Sequence, residues 1–239
     1  MNKTFQPRRN RSVFLTMAEQ KLLATPFFFR FALPCPYREP LWSGSGVQLD
    51  DACRLPTFGQ LDSATGDERV EWAELRAAWS ENGLAFNLIV SGKKKSPWCR
   101  ASRIEDSDGF AVWVDTRNTS GIHRANRFCH AFRFLPAGAT GRPSQPVAVQ
   151  LAVERARENP KPVDSEILKV RSDVRQKGYR LEAFVPAAAL TGFDPAEQPQ
   201  LGFTYAAIDR ELGEQTLTVG SEFPYQSDPS LWSTLDLVR

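Results

Sequence analysis

The densest group of chemistry-bearing residues is Lys93-Lys94-Lys95-Ser96-Pro97-Trp98-Cys99-Arg100, where three consecutive lysines precede a tryptophan and an arginine. Adjacent ammonium groups raise the local concentration of anions, and an indole beside them offers a flat apolar face, so the segment could steer an anionic ligand. The run also reads as a solvated loop, because short charge runs usually face water. His123, Cys129 and His130 form a second group, of metal-ligating types, with Cys99 as a further candidate. On a strand, however, Cys129 and His130 point to opposite faces, which keeps both off one ion. Asp115, Glu182 and Asp209 could supply the paired carboxylates of a glycosidase, but such residues also end strands and pin turns. The chain holds two histidines and no G-x-S-x-G, H-E-x-x-H or glycine-rich phosphate loop, so no enzyme is expected.

The elements that must position these residues show mainly a period of two. Leu75, Ala77 and Trp79 alternate with Glu74, Arg76 and Ala78. After Glu81-Asn82-Gly83, positions Leu84, Phe86, Leu88 and Val90 share a face, which predicts a hairpin with an Asn-Gly turn. Phe110, Val112 and Val114 oppose Ala111, Trp113 and Asp115. The same alternation sets Phe128, His130, Phe132 and Phe134 against Cys129, Ala131, Arg133 and Leu135. Val147, Val149 and Leu151 mark another strand, and Tyr179, Leu181, Ala183 and Val185 a late one. Phe27 to Leu33 reads as a first strand with one buried face. Only Met17 to Leu23 and Pro186 to Leu190 read as helix. Many short strands separated by Gly/Pro turns predict an all-β chain, a single antiparallel β-sandwich, immunoglobulin-like or jelly-roll-like, with one or two short helices.

The 239 residues suit one such domain, placed at 17–239, with 1–16 as a disordered extension and Met17 as an alternative start. Thirty basic and 28 acidic residues leave a net charge of +2, too balanced to recruit nucleic acid or an anionic membrane. No apolar run approaches the roughly 20 residues that span a bilayer. Arg8, Arg9 and Arg11 precede an apolar stretch too short for a signal-peptide core, so a cytoplasmic location is expected. Cys35, Cys53, Cys99 and Cys129 show no C-x-x-C spacing and are expected to be buried free thiols, with two disulfides as the alternative.

Four stretches carry a resemblance. Asp108-Gly109-Phe110-Ala111-Val112-Trp113-Val114-Asp115 comes first, followed by Gly178-Tyr179-Arg180-Leu181-Glu182-Ala183-Phe184-Val185-Pro186. Gly202-Phe203 through Asp209 and Asp228-Pro229-Ser230-Leu231-Trp232-Ser233-Thr234-Leu235-Asp236-Leu237 complete the set. In this order, over residues 68 to 238, they resemble the carbohydrate-binding domains of family 9 and the wider sandwich superfamily that includes DOMON-type domains. The resemblance implies a non-catalytic module that holds a small saccharide, or the end of a polysaccharide, between two tryptophan faces, with polar groups at the ring edges.

The clamp positions fall near Glu105 and Thr218 to Val219, where this chain has no aromatic residue. The strand glutamate of the family is replaced by Ala111, while the arginine of the family's Q-F-R strand persists as Arg133. What the resemblance then implies is a rebuilt site, with Trp98 and Tyr225 as stacking faces and Arg133 and Arg100 as hydroxyl donors. Phe223 lies on the same loop as Tyr225. Each aromatic also reads as core. Family members carry structural calcium, which here implies Asp62, Asp67 and Glu68 as oxygen donors. The alternative to a sugar-binding domain is a protein-interaction or structural sandwich that has lost the sugar site.

Overall fold

The computed structural model describes residues 31–57, 71–119 and 121–239. Its strands are β1 (Ala32–Pro36), β2 (Ala73–Ser80), β3 (Gly83–Ser91), β4 (Gly109–Asp115), β5 (Cys129–Leu135), β6 (Val147–Leu151), β7 (Lys169–Arg175), β8 (Gly178–Pro186), β9 (Gln200–Asp209), β10 (Gly213–Thr216) and β11 (Ser233–Val238). One sheet has seven strands, in the order β1-β11-β9-β4-β5-β6 with β10 also pairing β9, and the other has four, β2-β3-β8-β7. All pairs are antiparallel except β1 with β11, the one departure from the expected antiparallel sandwich.

Alternation along each strand sends one row of side chains between the sheets. Phe86 of β3 stacks on Phe203 of β9 at 6.1 Å and meets Phe110 of β4 edge-on at 6.3 Å, which joins the two sheets through aromatic contacts. Leu75, Leu88, Leu181, Val112 and Phe132 fill the same core. The β2–β3 hairpin forms as expected, with Ser80 paired to Gly83. A Cβ on Gly83 would lie 2.1 Å from the Val185 carbonyl oxygen, and the residue has φ +139°, so glycine is required where this turn crosses β8.

Each sheet is also covered on its outer side. Ala111, Trp113, Ala131, Val219, Tyr225 and Trp232 build a second core on the seven-stranded sheet, beneath segment 217–232. Leu41, Val47, Leu49 and Cys53 pack on Ala78 and Ala85 of the four-stranded sheet. Strand β7 is an element the alternation did not reveal. Lys169, Arg171, Asp173 and Arg175 leave only Val170 and Val174 as an apolar signal, a composition that suits an edge strand. Pro186 to Leu190 contains a single 3-10 turn, Ala187–Ala189, while Met17 to Leu23 and most of the Phe27 to Leu33 run lie outside the described residues. Among the described residues, no helix is long and apolar enough to cross a membrane.

Candidate functional site

The segment between β3 and β4 crosses from one sheet to the other at one end of the sandwich, and a buried ion cluster fixes it there. Lys93, at its start, is 4% exposed and turns inward. Its Nζ donates to Asp108 Oδ2 at 3.0 Å and to Asp209 at 2.6 and 2.7 Å. Asp108 directly precedes β4 and Asp209 ends β9, so one ammonium group ties three elements together. Burial disfavours the charged lysine, but its bonds to Asp209 and Asp108 outweigh this and hold its pKa above the ordinary value. The reading of Lys93 to Lys95 as a solvated run is therefore corrected at Lys93, whereas Lys94 and Lys95 are exposed.

Asp108 also organises what surrounds it. Its Oδ2 accepts from the backbone N–H of Trp98 at 2.9 Å, and its Oδ1 from that of Arg210 at 2.9 Å. One carboxylate thus sets both the half-buried indole and the arginine that lies on it, with the Arg210 guanidinium carbon 4.2 Å from the Trp98 ring centre. Arg100 and Arg103 approach the same ring at 5.3 and 5.9 Å. Glu211 closes the opposite rim by accepting from the backbone N–H groups of Lys94 and Lys95 at 2.9 and 3.1 Å. Between these groups lies an open cleft of about 300 Å³, lined by Lys93, Lys95, Ser96, Trp98, Asp108, Arg210 and Glu211. An aromatic surface rimmed by charged donors and acceptors can hold a ligand that has both an apolar face and polar edges.

Trp98 and Arg100 therefore come together, but the other two expected contacts do not join them at a surface. Arg133 lies on the outer side of β5 and is 1% exposed, with one guanidinium nitrogen donating to the Ser107 carbonyl oxygen. Its Nε and Nη1 have no described partner, and burial lowers its pKa to about 10, which keeps it charged at neutral pH. Tyr225, also 1% exposed, meets Trp113 edge-on at 5.4 Å and donates its hydroxyl to Glu214. Trp232 Nε1 in turn donates to the Tyr225 carbonyl oxygen at 2.7 Å. The expectation of Arg133 and Tyr225 as open ligand contacts is corrected here: segment 217–232 folds onto the outer face of the sheet and carries Tyr225 into the second core, while Arg133 is buried with its guanidinium on the Ser107 carbonyl of the β3–β4 segment. Thr218 and Val219, at the second clamp position, are buried there as well. Arg210 and Glu211, on the β9–β10 turn, are the site residues that sequence reasoning missed; they stand directly after Asp209, which the motif had marked.

The remaining candidates resolve into structural roles. Asp115 accepts from the N–H groups of Arg117 and Thr119, Glu182 pairs with Arg180 at 3.1 Å, and Asp209 belongs to the Lys93 cluster. Cys129 and His130 do face opposite sides of β5, and His130 stacks on Phe132 in the inter-sheet core. His123 Nδ1 lies 3.1 Å from both Asp228 and Ser230. Both contacts use one nitrogen, whereas a hydrolytic triad needs the two ring nitrogens on different partners. All four cysteines are free thiols, with Cys99 half-buried and the others buried. Asp62, Asp67 and Glu68 lie outside the described residues. Among the described residues, no group of three or more His, Cys, Asp or Glu side chains is placed to hold a metal ion.

No protein-family model matches the sequence, and no curated protein matches it. Solved structures do. A carbohydrate-binding module of family 9 from Caldicellulosiruptor kristjanssonii, in complex with cellotriose, superposes with a TM-score of 0.56 at 14% identity, over 87% of this chain and 94% of that one. A structure of such a module from the same organism, in complex with glucose, gives 0.56 at 13% identity, over 87% and 97%. The chain has the fold of these modules, an all-β sandwich.

Proposed function

We propose that this chain, which shares the sandwich fold of family 9 carbohydrate-binding modules, is a non-catalytic carbohydrate-binding domain whose ligand docks at the Trp98 cleft. The observation that carries this reading is the half-buried indole, set by Asp108 at the mouth of a cleft rimmed by Lys95, Ser96, Arg210 and Glu211. A pyranose offers C–H groups to the indole and hydroxyls to the rim. Arg210 is exposed, and its contact with the ring is worth only about 0.5–1 kcal/mol, so it can move aside for a sugar at small cost. Structures of the same fold that hold cellotriose and glucose support this ligand class.

Calorimetric titration with glucose, cellotriose and a panel of other oligosaccharides tests the reading. It predicts saturable binding by the wild type to at least one saccharide, and affinity at least about tenfold weaker in Trp98→Ala. Unchanged binding by that variant would defeat this placement of the site. A second reading, a protein-interaction sandwich without a sugar site, is favoured by the burial of Arg133 and Tyr225 and predicts no response to any saccharide.

A further inference from the structure

The charges around Trp98 are satisfied unevenly. Asp108 and Asp209 are occupied by Lys93 and by backbone N–H groups. Glu211 accepts from two backbone N–H groups and lies 3.8 Å from Lys93. Asp106 is held by Arg103. Every one of these carboxylates thus has its partner inside the protein. The cations do not: among the described residues, the guanidinium groups of Arg100 and Arg210 meet no carboxylate, and their described side-chain contact is the Trp98 ring. Both are exposed, as is Lys95 beside them. Arg210 lines the cleft together with Lys95, and Arg100 lies against the same indole from beside it. With no carboxylate on their forked donors, Arg210 can swing off the ring to meet an anion while the ring face takes an apolar surface. A neutral glucan would leave these donors to water, while an anionic ring would fill them.

Resting on the saccharide reading of this cleft, we infer that its ligand is an acidic saccharide, a pyranose that carries a carboxylate or a sulfate. Binding is then steered and strengthened by Arg100 and Arg210 and weakens as salt screens them. The experiment compares cellotriose, trigalacturonic acid and a sulfated chondroitin disaccharide, by tryptophan fluorescence, on the wild type and on Arg100→Gln/Arg210→Gln. Both positions are exposed, and circular dichroism checks that the double variant folds. The inference predicts that at least one acidic saccharide binds about tenfold or more tightly than cellotriose at about 50 mM salt, with the preference shrinking at about 300 mM. The two acidic ligands tell carboxylate from sulfate. In the double variant, the preferred acid falls to the level of cellotriose. Equal affinity for cellotriose and both acids would overturn the acidic preference and leave the saccharide reading standing. No binding of any of the three to the folded wild type would overturn both.

Discussion

At the scale of single residues, His130 shows what the sandwich core does to a titratable group. The ring stacks on Phe132 at 6.0 Å, its Nδ1 has no described partner, and burial lowers its pKa from 6.5 to about 4. Above pH 6.5 the folded and unfolded chains both hold it neutral, and its contribution to stability is complete. As pH falls below that value, the unfolded chain binds a proton that the folded chain refuses, so stability is lost progressively down to about pH 4. The loss should reach about 3 kcal/mol in denaturant unfolding, and His130→Leu should flatten the slope relative to wild type. Parallel slopes would contradict the assignment. Individual side chains were legible in sequence to different degrees. The alternation placed Arg133 on the correct face of β5 but could not show that segment 217–232 lies over that face. A hint was present: β4, β5 and β9 read as almost unbroken apolar runs, a pattern of strands buried on both sides.

At the scale of elements, the Lys93 cluster is the bond between parts. It joins the end of β3, the start of β4 and the end of β9, and so links the two sheets at the end where Trp98 sits. Lys93→Met would leave two carboxylates buried without their cation and should cost about 3–5 kcal/mol in chemical denaturation. A loss below about 1 kcal/mol would mean that the cluster is not what fixes this end of the fold. The strand motifs had marked Asp108 and Asp209 without showing why they recur together. Their meeting point, Lys93, looked like one member of a solvated run, because neighbours in sequence say nothing about a carboxylate delivered from more than a hundred residues away. The hairpin of β2 and β3 was readable because its information is local, whereas β7 was not, since an exposed edge strand needs little apolar alternation.

At the scale of the whole molecule, two sheets form one core between them and a further small core on each outer side, one under segment 217–232 and the other under residues 41–53. With both broad faces covered, the Trp98 end carries a cleft in which an aromatic side chain and cations without a described carboxylate partner reach the solvent together. A ligand placed there is directly visible, because the six tryptophans give separate signals. The measurement is a titration of the indole N–H signals by nuclear magnetic resonance, with trigalacturonic acid and with cellotriose, on protein whose signals are assigned by single substitutions. The expected result is a saturable shift of the Trp98 signal, with those of the buried Trp113 and Trp232 unmoved. Shifts at Trp113 and Trp232 with Trp98 silent would instead put the ligand beneath segment 217–232, against Arg133 and Tyr225, and would contradict the Trp98 cleft as the binding site.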